Sequence, residues 1–185
     1  RRLREVAEKL LYEERWIVAA MQAPTWPPDP SRFEEWLPPP GLLWADPFPF
    51  VRNGRIHVFL EECALAAPRA HLAVLEVGAD GRPGQTRPVL ERPYHLSYPF
   101  VFEWQGVPHL LPETAENRTV ELYRCISFPD RWELDRVLLV GLRAYDATLL
   151  EHEGRWWLFA CVAVEDAPPL DERIRQLREP KVRAA

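Results

Sequence analysis

The chain has 185 residues, 47% hydrophobic and 11% aromatic, with 28 Asp and Glu against 23 Lys and Arg for a formal net charge of −5. That composition supports a packed core, and an acidic balance without a basic stripe argues against nucleic acid as the main partner. The longest apolar run, Trp16 to Met21, is far shorter than the roughly 20 residues of a membrane span, so no membrane partner is expected.

Leu3, Val6, Leu10 and Leu11 repeat at helical spacing among Arg and Glu. Residues 1–15 therefore read as an amphipathic, linker-like helix. This opening lacks the apolar h-region of a secretory signal. The three cysteines, Cys63, Cys125 and Cys161, form no zinc or redox motif and suit a reducing compartment, so a cytoplasmic location is expected. A chain that starts without Met reads as a piece of something longer. Trp16 to Met21 looks like a short buried strand. The proline-dense stretch from Pro24 to Pro40 looks like an irregular surface connection, because proline cannot donate to a ladder.

From Trp44 the chain repeats itself. Asp46-Pro-Phe-Pro-Phe runs to Asn53-Gly54, Tyr98-Pro-Phe-Val-Phe to Gln105-Gly106, and Asp146-Ala-Thr-Leu-Leu to Glu153-Gly154. In each unit a polar residue and a glycine separate two apolar runs, which signals a tight hairpin. Strand-like segments His71 to Val77 and Thr119 to Ile126 then correspond, as do Val89-Leu90 and Val137-Leu138. Four short strands in about fifty residues is the period of a propeller blade. The expected fold is all-β: a partial five-bladed β-propeller of two full blades plus the first hairpin of a third, over residues 16–164. Residues 165–185 read as a non-propeller tail with a charged helix from Leu170 to Arg178.

Counting outward from the turns sets Asp46 opposite Glu61, Tyr98 opposite Glu113 and Asp146 opposite Cys161. Directly opposed residues have Cβ atoms about 5 Å apart. Asp46 and Asp146 should then face one shared pocket. Loops entering the same rim carry Tyr94, His95, Arg143 and Tyr145, and the Glu113–Thr119 connection adds Asn117. Aromatic faces with converging polar groups suit a sugar. Two carboxylates across a pocket suit glycoside hydrolysis. Bland roles compete at each position: a strand-start Asp often caps a turn, and His95 suits a hydrogen-bonded rim. His57 and His109 read as structural, and tryptophans 104, 132, 156 and 157 as packing between blades. No histidine pair has ligand spacing, so neither metal nor other cofactor is expected.

Trp44-Ala-Asp-Pro-Phe-Pro-Phe, Arg92-Pro-Tyr-His-Leu-Ser-Tyr-Pro-Phe, Leu111-Pro-Glu-Thr and Val120-Glu-Leu-Tyr-Arg resemble the N-terminal domain of glucosamine inositolphosphorylceramide transferases and its bacterial relatives. More distantly, the chain is similar to the five-bladed propellers of arabinanases, fructosidases and levansucrases. The wider resemblance implies Asp46 as base or nucleophile and Asp146 as the residue that steadies the transition state. The general acid of those enzymes stands on a fourth blade that this chain does not reach, and Glu113 is the substitute on offer. Trp44, Glu61, Tyr94, His95, Tyr98, Asn117, Arg143 and Tyr145 complete the expected sugar-binding set. Three functions stay open: a glycan or sugar-donor recognition module beside a transferase domain, a furanosidase-like glycoside hydrolase, and a propeller serving protein interaction.

Overall fold

The computed structural model describes residues 16–22, 26–67 and 69–166. The expected helices at 1–15 and 170–178 lie outside these residues. All regular structure among the described residues is strand or single-turn 3-10 helix. Strands β1 (Val18–Ala20) and β2 (Glu34–Trp36) pair antiparallel as a small sheet. Strand β2 falls inside the proline-dense stretch read as irregular. The run Phe33 to Leu37 is free of proline and keeps its donors for a ladder.

Strands β3 (Leu42–Arg52), β4 (Arg55–Ala64), β5 (His71–Val77) and β6 (Arg87–Leu90) form a second sheet in sequential order. A third repeats that order with β7 (Ser97–Trp104), β8 (Val107–Thr114), β9 (Thr119–Ser127) and β10 (Arg131–Val140). Strands β11 (Ala144–His152) and β12 (Arg155–Val162) make the fourth, two-stranded sheet. Each leading hairpin turns on the expected pair. Asn53-Gly54, Gln105-Gly106 and Glu153-Gly154 all have positive φ at both positions, the two-residue turn whose twist matches that of the strands.

The sheets stack face to face in series, joined by three apolar seams. Val18 and Trp36 pack on Trp44, Val58, Leu60, Ala73 and Leu75. The opposite face of that sheet gives Phe59, Leu72 and Val74 to a seam with Val101, Leu110, Tyr123 and Trp132. The third seam holds Leu111, Val120 and Leu122 against Ala144 and Ala147. The five-bladed propeller expectation is therefore corrected: among the described residues there are four small antiparallel sheets and no ring closes. Ring closure requires the last sheet to meet the first. Here β12 instead turns Trp156, Trp157 and Phe159 outward, 44, 48 and 56% exposed. Of the tryptophans expected between blades, Trp132 is buried in a seam, whereas Trp104, Trp156 and Trp157 stay substantially exposed.

Candidate functional site: a basin of carboxylates

The site begins with a feature of the backbone. In each leading hairpin two residues of the first strand oppose one of the second. The pairing jumps from Ala45↔Glu61 to Phe48↔Phe59, from Ser97↔Glu113 to Phe100↔Leu111, and from Tyr145↔Cys161 to Thr148↔Phe159. These are β-bulges, and the first bulged residue has positive φ every time: 48° at Asp46, 45° at Tyr98 and 52° at Asp146. Left-handed backbone is tolerable for Asp and uncommon for Tyr. The bulge corrects the expected register by one residue. Glu61 pairs with Ala45, Glu113 with Ser97 and Cys161 with Tyr145. It also switches the facing of β3, so that Phe48 and Phe50 enter a seam that strict alternation from Trp44 would deny them.

A bulged residue leaves its N–H outside the ladder, and that donor needs an acceptor. The acceptor comes from the preceding unit. Tyr98 donates its N–H to Asp46 Oδ2 at 3.0 Å, and Asp146 donates its N–H to Glu113 Oε2 at 3.2 Å. The Tyr98 hydroxyl reaches Thr148 Oγ1 at 2.9 Å. Carboxylates on β3 and β8 thus stitch the three leading hairpins together at one end.

Four acids gather there. Asp46 and Asp146 are exposed, while Glu61 and Glu113 sit deeper and half-buried. Burial pushes the Glu61 carboxyl up to about 7, helped by the negative charges of Asp46 and Glu113 and by a hydrogen bond with Asp46. Burial also raises Glu113, against the opposing pull of the Asp146 N–H; the charges of Asp146 and Asp46 add to the rise. Each deep acid therefore feels the exposed ones, and the four form one electrostatic unit.

His95 borders this unit with Nε2 3.4 Å from Glu61 Oε1. Its Nδ1 accepts the Ala70 N–H at 3.3 Å, which leaves the ring proton on Nε2, facing Glu61. The His95 backbone N–H donates to Glu116 Oε2, to which Arg69 Nε also donates, while Arg69 Nη2 donates to Glu116 Oε1. The Arg69 hydrogen bonds, and then the His95 N–H, hold the Glu116 carboxyl down at about 2. Beside it opens a cleft of about 540 Å³ lined by Arg69, His95, Glu113, Glu116, Arg143 and Tyr145. Glu113 belongs to both cleft and acid cluster, so the two are continuous.

The strands that build this end fall within residues 38–167, which match a family model described as glucosamine inositolphosphorylceramide transferase 1, N-terminal. The chain belongs to this family. It is similar to glucosamine inositolphosphorylceramide transferase 1 of Oryza sativa subsp. indica, 31% identical over 122 residues that make up 65% of this chain and 16% of that protein. The protein of the same name from Arabidopsis thaliana is 32% identical over 122 residues, 64% of this chain and 16% of its own length. The chain thus spans about one sixth of these curated relatives. No solved structure matches it. Membership ties the chain to the N-terminal region of a sugar-related transferase family.

The expected site residues do not all meet. Asp46, Glu61, Tyr98, Glu113 and Asp146 share the stitched end, and His95, Arg143 and Tyr145 stand at the cleft. Arg143 pairs there with Glu165. Trp44 is elsewhere: it is buried in a seam and its Nε1 donates to Glu62 Oε2 at 2.8 Å, so its face cannot receive a sugar. Tyr94 and Asn117 both donate to Glu121, at 2.8 and 2.9 Å. Glu121 is buried and also takes hydrogen bonds from Thr119 and Tyr123. These donors hold its carboxyl low despite burial.

Sequence reasoning missed Arg69, Glu116 and the buried carboxylates Glu62 and Glu121. Glu121 stands in the run Val-Glu-Leu-Tyr between two apolar seams, where alternation marks neither face as wet. Arg69 and Glu116 lie in separate connections that only folding brings together. Among the described residues no group of three His, Cys, Asp or Glu is arranged to hold a metal ion. Among the same residues no helix is long and apolar enough to cross a membrane.

Proposed function

We propose that this chain is a carbohydrate-recognition module of a transferase-family protein, taking a glycan or sugar-donor group at the carboxylate basin and its adjoining cleft. One observation carries the reading: Asp46, Glu61, Glu113 and Asp146, from three successive repeat units, converge beside His95, Arg143 and Tyr145. Exposed carboxylates accept hydrogen bonds from vicinal hydroxyls, half-buried ones fix orientation, and the Tyr145 ring offers an apolar face. Family membership supports the sugar context, since the matched relatives carry the name glucosamine inositolphosphorylceramide transferase 1. The relatives' far greater length leaves room for a separate transferase domain beside this one.

Calorimetric titration of the protein with a panel of hexoses, pentoses, amino sugars and their oligomers tests the reading. At least one should bind, and Asp46→Asn with Glu113→Gln should weaken it by about tenfold or more. A panel with no binder, or binding indifferent to both changes, counts against it.

A hydrolytic reading has one specific support. Glu61 keeps its proton close to neutrality beside Asp46, and a pair of neighbouring carboxyl groups of which one holds its proton is the equipment of general acid catalysis. Release of reducing sugar that disappears in both Glu61→Gln and Asp46→Asn would favour it over recognition alone.

A further inference from the structure

Two of the three left-handed bulge positions hold Asp, and the middle one holds Tyr98 at φ 45°. Asp is among the few non-glycine residues that enter this region readily, whereas a bulky aromatic there is an outlier. Such a conformation persists only where the surrounding structure enforces it, and it gathers at functional sites. The contacts of Tyr98 show what it does there that Asp could not.

Tyr98 reaches both neighbouring units at once. Its N–H donates to Asp46 Oδ2 on β3 at 3.0 Å, a contact open to any residue but proline. Its hydroxyl stands 2.9 Å from Thr148 Oγ1 on β11. Thr148 sends its single hydroxyl proton to the Asp146 carbonyl at 3.3 Å, so in the pair with Tyr98 the Thr148 oxygen accepts and the phenol donates. A chain of hydrogen bonds thus runs from the Asp46 carboxylate, through Tyr98 and Thr148, to the backbone of Asp146. An Asp side chain at this position, shorter by the length of the ring, would not reach Thr148 and would add a fifth acid to the basin.

We infer that Tyr98 is a positioning residue of the basin: it leaves the ligand untouched and holds Asp46 and Asp146 at one spacing, which sets the size of the sugar group the two acids take between them. This role rests on the reading of the basin as a sugar site. It replaces the sugar contact expected of Tyr98 from the sequence, because the phenol proton and the N–H both have partners within the protein. The same chain extends to a deeper acid. Asp146 donates its N–H to Glu113 Oε2 at 3.2 Å, so a shift of Asp146 moves that contact as well.

The first measurement needs no ligand: amide hydrogen exchange at Asp146, read by NMR, with Val74 of the buried seam as the reference for global opening. Tyr98→Phe removes the phenol hydroxyl alone. Thr148→Val cuts the same link from the other side, which keeps the test decisive if one variant fails to fold. Each should speed exchange at Asp146 about fivefold relative to Val74, for want of one neutral hydrogen bond. Exchange at Asp146 that changes no more than at Val74 overturns the spacing role. The second measurement is selectivity by calorimetry, glucose against maltose and xylose against xylobiose. The wild type should prefer one size, and both variants should bring the ratio of affinities to within about twofold of unity while binding persists. An equal loss for both sizes, or an unchanged ratio, overturns the role in specificity. Binding of none of these sugars would sink the sugar reading and the size selection with it, while the spacing role stands or falls on the exchange result alone.

Discussion

Replacing Glu61 by Gln turns the deep acid of the basin into a neutral side chain of nearly the same shape. The wild-type carboxyl is raised from 4.5 to about 7 by burial first and by Asp46 and Glu113 next. Below pH 4.5 it is protonated in folded and unfolded chains alike, and folding carries no penalty. As pH rises toward 7 the unfolded chain releases the proton while the folded one keeps it, and stability falls. Above 7 both are ionised and the penalty is complete. At roughly 1.4 kcal/mol per pH unit, the gap corresponds to a loss on the order of 3 kcal/mol. The side chain is only 17% exposed, so solvent screening leaves most of that figure in place.

The Gln variant has no such titration, and comparison with it cancels contributions from groups outside the basin. Glu62, Glu116 and Glu121, whose carboxyls are lowered, act in the opposite sense, losing stability as pH falls. Urea denaturation of both proteins at pH 4.5, 6 and 8 measures the difference. Relative to wild type, Glu61→Gln should gain progressively, by about 3 kcal/mol across the range. A difference constant to within about 0.5 kcal/mol would mean that the acids do not crowd together, and the electrostatic basis of the site would fall.

Other outcomes follow from the same contacts. Glu121→Ala should cost about 3 kcal/mol or more in chemical denaturation, because Tyr94, Tyr123, Asn117 and Thr119 lose a shared buried acceptor; a loss under about 1 kcal/mol would show the network to be idle. Glu62→Ala strands the Trp44 indole and the Thr86 hydroxyl and should destabilise by about 2–4 kcal/mol, read by the same melt with Trp44 emission as a local probe. Glu153→Asn places a residue tolerant of positive φ in the third hairpin turn and should raise stability by about 0.5 kcal/mol, where a decrease would argue against the turn geometry.

The strand plan was legible because its signals are local. A polar residue and glycine between apolar runs fixed each hairpin, and the strand His71–Val77 has the expected bounds. The bulges were harder, since counting outward from a turn assumes an unbroken ladder. Pro47 and Pro99 were the available sign: each follows the left-handed residue inside a strand, where a missing N–H is tolerable only at a bulge or an edge. The nearness of Asp46 and Asp146 to Glu113 follows from the three-fold repetition. Trp44 was misplaced because its burial depends on Val18 and Trp36, contacts that local pattern cannot foresee. Ring closure failed for a similar reason. A repeat period says that units resemble one another and says nothing about whether the last packs against the first.

A crystal structure grown with the tightest-binding sugar of the panel tests the central claim most directly. Sugar hydroxyls should lie within hydrogen-bond distance of Asp46, Asp146 or Glu113, with the ring beside Tyr145. A sugar seated away from all four, with these carboxylates contacting only protein and water, would contradict the account.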